Sequence, residues 1–515
     1  MVSKVWGRPG LIDAIIVISA VSLCALQLAG LANDPGVGWH LKTGEWILSH
    51  RSVPTHDPFL GSLVAREWVA TQWLSDVVLA QVYAVGGWSL LYALAVAVYC
   101  AIFYAILYPV VRSTTGEYLA AAVTCFVAFK ATQLHFILRP VLFGYLCFTL
   151  LVCWSSLRLT AEHSDDPVHS APSWIALPAL FVAWANLHPS FFMGLLVLGL
   201  LYLSLFIEQL LGLRSFSRAT HGRYIAITTL CFAATFITPY GAKLHINILS
   251  LASSDFFMQY HSEWLPPTLN ELPAQIALGS LVVILLAAMR HGITGTKLNT
   301  FQILSILCFA YSSMQAVRML PMFMIIVSVP LAQSLGAIVR GLSIRKRHPL
   351  ISASLANLEQ REHNSPFPIL LGLLFTCTIV YTPTTQNVPL YTGEYGPTRN
   401  SFPSNAITAL KQSERNVILA ASPNYGGSIV WYGWPEVRPI IDDRNMLLGE
   451  KFYRKFFDRL RPEANWRGYL REQGATHLLL ESSGQLAQVI RQDSESIEQE
   501  VYRDQKFVMY CLENC

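Results

Sequence analysis

Leu28-Ala29-Gly30-Leu31-Ala32-Asn33-Asp34-Pro35-Gly36-Val37-Gly38-Trp39-His40-Leu41-Lys42-Thr43-Gly44-Glu45-Trp46-Ile47 decides how the rest of the chain is read. It opens as the end of an apolar run, Leu11 to Ala32, long enough to cross a hydrocarbon layer of roughly 30 Å. Lys4 and Arg8 precede the run and no small-residue cleavage pattern closes it, so it reads as a first span with a cytoplasmic amino terminus, not a removed leader. Asn33-Asp34-Pro35-Gly36 is a turn signal that holds an acid at the mouth of that span. Trp39, Leu41, Trp46 and Ile47, set among Lys42, Thr43 and Glu45, then predict a short amphipathic helix from Trp39 to His50, lying in the membrane interface with its aromatics toward lipid.

This loop, residues 33–87, is unusually long for a connector between spans, which marks it as a working element. Its prolines extend Val53-Pro54-Thr55-His56-Asp57-Pro58-Phe59, and a second helix is expected from Trp68 to Tyr83. Around it the composition is that of a membrane protein. Of 515 residues, 53% are hydrophobic and 13% charged, against roughly 25% charged in soluble chains. A cytosolic enzyme is excluded, and a net charge of +4 with no basic face interleaved with aromatics argues against nucleic acid as a partner. Eight of the ten cysteines sit in apolar runs as packing residues; Cys511 and Cys515 lie in polar sequence and could join each other or stay free.

Further apolar runs fall at Trp88–Val111, Tyr118–Phe136, Ile137–Leu159, Trp174–Leu187, Phe191–Leu213, Tyr224–Thr238, Ala274–Met289, Phe301–Met314, Met319–Val339 and Phe367–Tyr381. With the first they give about eleven spans. Arg112, Arg214, Arg218, Arg223, Arg290, Lys297, Arg340, Arg345, Lys346 and Arg347 fall in alternate loops, which the positive-inside rule makes cytoplasmic. The other ends therefore face outward, and the costly polar residues gather there: Asp34, His40, Asp57, Asp76, Lys130, His135, Arg139, His188, Glu263 and Arg318. Against a functional reading stands interfacial snorkelling, which weighs evenly for Lys130 and less for Arg139 and Arg318, each beside a turn and opposite several acids.

The order Asp34-x-x-x-x-Trp39-His40-Leu41-x-x-Gly44-Glu45-Trp46-Ile47, Val53-Pro54-x-x-Asp57-Pro58-Phe59, Trp68-x-x-x-x-Trp73-Leu74, Arg139-Pro140, Trp184-Ala185-Asn186-Leu187-His188, Thr238-Pro239-Tyr240-Gly241, Glu263-Trp264-x-Pro266, Arg318 and Asp442-Asp443-Arg444 resembles a bacterial family of multi-spanning membrane proteins similar to the GT-C glycosyltransferases. The resemblance implies a sugar taken from a polyprenyl-phosphate carrier on the outer side of the membrane, with Asp34 as the first-loop acid near the acceptor. It places the chain in the bacterial inner membrane with a periplasmic carboxyl terminus. Many relatives carry a second acid two positions after the first. This chain has Gly36 there, which weakens a metal role for the loop; a divalent metal elsewhere stays open.

The chemistry also follows from the residues. Glycosyl transfer from a lipid phosphate needs a base for the acceptor proton and cations for the departing phosphate. Asp34 or Asp57 would be the base; Arg139, Arg318, His188 and Lys130 would form the positive pocket, with Glu263 and His40 as substrate-binding residues. For Asp57, capping a turn before proline weighs equally. Two other readings compete: a non-catalytic assembly subunit that binds a membrane-protein partner through its tail, and a transporter for a lipid-linked saccharide, for which mid-bilayer charges or repeats are not evident.

Residues 1–383 thus read as a membrane domain, 384–405 as a linker, and 406–515 as a small periplasmic α/β domain. In the tail, Val417–Ala420, Arg438–Ile441, His477–Leu480 and Lys506–Leu512 read as strands, Gly426–Tyr432 as a Gly-Gly turn, and Glu450–Gln473 and Gln485–Val501 as helical. Asp442-Asp443-Arg444 follows a strand, where ligands approach such sheets, or forms an internal Asp443–Arg444 pair that fixes the turn.

Overall fold

The computed structural model describes residues 12, 15–19, 28–61, 66–116, 118–161, 171–260, 262–289, 298–341, 402–412, 416–493 and 498–512. The expected span Phe367–Tyr381, half of Leu11–Ala32, most of the linker and His261 lie outside them. Among the described residues five helices are long and apolar enough to cross a membrane: Trp73–Thr115, Val141–Leu159, Phe191–Leu210, Leu272–Met289 and Val317–Ile338. Val317–Ile338 is the most enclosed of the five and Leu272–Met289 the least. The shorter helices Tyr118–Thr132, Ala171–Leu187, Arg218–Ala234 and Thr300–Gln315 pack among them.

The continuous helix from Trp73 conceals a boundary. Gly86 and Gly87 leave helical geometry, and Gly87 takes a φ of 59°, a left-handed value that glycine reaches without steric cost. The break separates the second helix of the first loop from the span that begins at Trp88. That loop helix starts at Trp73, five residues later than expected, because Trp68 lies in an extended segment bridged by His56 and Glu67.

The first loop helix forms over Val37–His50, but its surroundings correct the expectation of aromatics facing lipid. Trp39 and Leu41 are buried in protein. Trp39, Phe59 and Trp68 belong to one hydrophobic cluster with Ile440, Tyr453, Leu470 and Leu478 of the tail, so loop and tail share a core. Close backbone approach makes this possible. A Cβ on Gly38 would overlap the Gly427 carbonyl, and one on Gly427 would overlap the Pro35 carbonyl.

The tail carries a five-stranded sheet, β1 (Val417–Ala420), β2 (Val437–Pro439), β3 (His477–Glu481), β4 (Gln499–Arg503) and β5 (Phe507–Cys511), in the order β2-β1-β3-β5-β4. β1 runs parallel to β2 and β3, while β5 is antiparallel to β3 and β4. Two tail expectations are corrected. Gly426–Gly433 is a helix, its glycines serving contact with the first loop and with Asp442 instead of a turn. The helix from Gln485 stops at Gln492, and Gln499–Arg503 is an edge strand. That strand is mostly exposed, and its apolar residues Val501 and Tyr502 are adjacent instead of alternating, so its pattern does not distinguish it from a solvated helix.

Candidate functional site

The site assembles where the first loop, one set of helix ends and the tail meet. Arg139 lies just before the helix Val141–Ala161. Its Nε is ion-paired with Oδ1 of Asp34, and its Nη2 donates to Oδ2 of Asp443 at 2.7 Å. The Asp34 carboxylate is aimed by its own turn: Oδ1 accepts from the Gly36 amide at 2.9 Å. Gly36 is needed there, since a Cβ would run into the Arg139 guanidinium. The other oxygen of Asp443 accepts from Nε1 of Trp39 at 2.8 Å. One guanidinium therefore joins a first-loop acid to a tail acid.

Burial dominates the electrostatics of Asp34. Loss of water raises its pKa to about 6 against the opposing pull of Arg139, with Asp443 and Glu263 adding to the rise. Arg139 loses water as well, but Asp34, Asp443 and Glu263 hold its charge more firmly than usual.

A second cation stands beside this trio. Nη1 of Arg318 lies 3.3 Å from Oε1 of Glu263, and its guanidinium sits over the Trp264 ring at 4.1 Å. Glu263 Oε2 is 3.1 Å from His135 Nε2, and His135 Nδ1 is 2.8 Å from the Tyr145 hydroxyl. Burial alone would raise the Glu263 carboxyl, yet Arg318, His135 and Arg139 together hold it well below the usual range. Glu263 is thus an anion that orients Arg318.

His188 faces the same charges. Its Nδ1 accepts from the Ser190 amide at 3.1 Å, which leaves the proton on Nε2. Burial first, then Arg318, lowers its pKa to about 3. His188 offers a neutral donor instead of the positive charge expected of it. His40 is also kept neutral, chiefly by burial, and its Nδ1 lies 2.6 Å from Asp76 Oδ1. Lys130 is half-buried on the last turn of Tyr118–Thr132, at the same end of the bundle.

Asp57 and Arg444 form a separate arrangement. Arg444 donates through Nη1 to Asp57 Oδ1 at 2.6 Å and through Nε to Asp442 Oδ2 at 2.7 Å. Its guanidinium lies over Trp68 at 4.6 Å, with Phe59 and Trp39 at 5.5 and 5.7 Å. Asp57 Oδ2 also accepts from the Leu60 amide at 2.8 Å, the turn-capping role weighed for it. The internal Asp443–Arg444 pair is corrected: successive side chains diverge, Asp443 to Arg139 and Arg444 to Asp57.

The structure therefore brings Asp34, Arg139, Glu263, Arg318 and His188 into one charged cluster and sets Asp57 apart. Sequence reasoning placed His135 among the outer-end polar residues and Asp443 after a strand where ligands approach, but gave neither a role in the site, and it missed Tyr145. For Asp443 the signal was two acids and an arginine directly after a strand; for His135 and Tyr145 there was only their place at an outward helix end. Among the described residues no group of three or more His, Cys, Asp or Glu side chains could hold a metal ion. Asp34 faces a guanidinium, so the arrangement does not fit a divalent cation there.

No protein-family model matches the chain, and no curated protein matches it. Its fold is similar to that of the Archaeoglobus fulgidus oligosaccharyltransferase in the apo form, with a TM-score of 0.56 and 10% identity over 92% of this chain and 70% of that one. The same enzyme tethered by a disulfide bond to an acceptor peptide containing the NVT sequon gives 0.54 and 12% identity over 91% and 68%. The archaeal oligosaccharyltransferase AglB from that organism, in complex with an inhibitory peptide and a dolichol-phosphate, gives 0.54 and 10% over 91% and 69%. At such identity the likeness is one of fold: a mostly helical body with a small sheet domain after it.

Proposed function

We propose that this chain is a membrane glycosyltransferase that moves a sugar from a polyprenyl-phosphate carrier to an acceptor at the outward, periplasmic face. The observation that carries this reading is the Asp34–Arg139–Asp443 trio, partly open to solvent and next to the Arg318–Glu263 pair. A carboxylate with raised proton affinity suits a general base near neutral pH. Two guanidiniums suit a phosphate whose charge grows as it leaves. In the step proposed, the acceptor heteroatom gives its proton to Asp34 as it forms a bond to the anomeric carbon. The bond from that carbon to the carrier oxygen breaks, and the electron pair departs with the phosphate. Arg139 and Arg318 stabilise the charge, and His188 offers its Nε2 proton to a substrate oxygen.

In the structure both carboxylates on Arg139 leave the trio with a net negative charge. An incoming phosphate therefore has to replace one of them. We take Asp443 as the one displaced, because the exchange then leaves Asp34, held by the Gly36 amide, in place as the base. The dolichol-phosphate in one structural relative supports a lipid phosphate as the donor class for this chain.

The test is transfer of radiolabel from polyprenyl-phosphate-linked sugars to candidate acceptors in proteoliposomes. Asp34→Asn keeps size and hydrogen bonding but removes the proton acceptor, so turnover should fall by about 10²-fold or more. Full activity in Asp34→Asn would overturn the assignment of the base.

A further inference from the structure

His40 and Asp76 form a buried pair that the transfer step leaves unused. Their side chains are 2% and 1% exposed, and His40 Nδ1 stands 2.6 Å from Asp76 Oδ1. Glycines build the contact. Gly36, His40 and Gly44 recur at every fourth residue of the helix Val37–His50 and its cap, so they share one stripe. A Cβ at Gly36 would run into the Arg139 guanidinium, and one at Gly44 would overlap the Asp76 carbonyl. His40 thus sits between Arg139 on one side and Asp76 on the other. Ser75, next to Asp76, donates to the Leu187 carbonyl at 2.7 Å, which brings the turn that carries His188 alongside.

One proton lies between Nδ1 and Oδ1, and the surroundings decide its owner. Burial first, then Arg139, His188 and Arg444, keep His40 from becoming a cation. Asp76 Oδ2 is enclosed and has no hydrogen-bond partner among the described residues. A carboxylate with a bare buried oxygen is far costlier than a neutral acid. Neither nearby guanidinium is spare to offset it, since Arg139 holds Asp34 and Asp443 while Arg444 holds Asp57 and Asp442. The proton belongs to Asp76, which donates it from Oδ1 to Nδ1. The ring hydrogen of His40 is then on Nε2. That nitrogen lies on the side of the ring away from Asp76 and has no partner among the described residues.

Two neutral imidazoles, His40 and His188, thus bring N–H donors to a site that also holds two guanidiniums. The cations suit phosphate, and neutral donors suit uncharged oxygens. We propose, resting on the transfer reading above, that His40 binds a hydroxyl oxygen of the transferred sugar through its Nε2 hydrogen, and that Asp76, as an un-ionised acid, is the positioning residue that fixes this tautomer. The pair then discriminates a carrier that bears a sugar from one that has lost it.

The experiment measures binding to the full chain in detergent with two kinds of probe: bare polyprenyl phosphate, and polyprenyl phosphate carrying mannose, glucose or galactose. At least one sugar-bearing carrier should bind more tightly than the bare one. His40→Phe should cut its binding about tenfold and change the bare carrier far less, while His40→Gln, whose amide reaches the Nε2 position, should keep most of the advantage. Asp76→Leu should lose the advantage as His40→Phe does, and Asp76→Asn, whose amide donates to Nδ1 in place of the acid, should restore it. At about pH 8, where ordinary carboxyls are ionised, the infrared spectrum should hold a carboxylic-acid carbonyl band that Asp76→Asn removes, an arm that needs neither binding nor turnover. If His40→Phe does not fold, His40→Gln and the acid band carry the test. Equal weakening of both probes in His40→Phe, no advantage from any of the three sugars, or an unchanged acid band in Asp76→Asn would overturn the proposal. Bare carrier bound equally well by wild type and Arg318→Lys would count against the transfer reading instead.

Discussion

Arg139 and Arg444 carry the same charge, and each is gripped by two aspartates, one from the first loop and one from the tail. Their surroundings differ. The Arg444 side chain is 3% exposed and its partners Asp57 and Asp442 are 0% exposed. Three aromatic rings surround it, and no approach is left for a ligand. Arg139 is 20% exposed, with Asp34 at 12% and Asp443 at 6%. Ion pairs of equal stoichiometry thus serve unlike ends: the dry one locks the tail to the loop, and the wetter one can exchange a carboxylate for another anion.

Breaking the dry pair should have the largest effect on folding. Arg444→Met leaves Asp57 and Asp442 buried without their cation, which costs about 3–5 kcal/mol for a broken buried pair. Thermal melts in detergent should show the loss, and limited proteolysis should find the tail cleaved faster. Unchanged protection would remove the distinction between the two arginines. Gly427→Ala comes next. Its Cβ overlaps the Pro35 carbonyl, and overpacking of this kind costs about 1–3 kcal/mol. The melt should fall by less than in Arg444→Met, and transfer should drop because Asp443 and Trp39 lose register.

The smallest stability effect belongs to the wetter pair. Asp443→Asn keeps an oxygen for Trp39 and leaves Arg139 paired with Asp34, so the melt should fall by less than in either of the other two variants. Half of the guanidinium's charge compensation is gone, however, so the KM for the carrier should fall several-fold. A raised KM would show that Asp443 holds substrate and does not compete with it. Arg318→Lys should move the carrier KM the other way, because a point charge replaces a fork above Trp264.

Much of this architecture was legible in the chain. Apolar runs located the helices, Gly86-Gly87 ended the first loop where the span was expected, and Arg139, Arg318, His188 and Glu263 shared an end because loop charge alternated. What the sequence hid was long-range pairing. Trp39 looks like an interfacial aromatic until a tail helix covers it, and that cover depends on Gly38 and Gly427, far apart in sequence. Asp443 and Arg444 are adjacent and opposite in charge, so a local pair is the simplest reading. Only the fold shows that each has a remote partner. Similarly, His188 reads as a cation until its burial beside Arg318 is known.

The pKa of Asp34 links stability to activity. Since its proton affinity is raised from the usual carboxylate value to about 6 in the folded chain, the folded state binds more protons than the unfolded one between those values. Its contribution to stability is therefore fully present below about pH 4 and is lost as pH rises through about 6. Activity runs the opposite way, since the base must be ionised. The most direct measurement is the pH dependence of kcat/KM for transfer from the polyprenyl-phosphate sugar in proteoliposomes, for the wild-type chain and Asp34→Asn. The account predicts an ascending limb with an apparent pKa near 6 that disappears, along with most of the activity, in Asp34→Asn. A limb at the ordinary carboxylate value, or one that survives intact in Asp34→Asn, would contradict it.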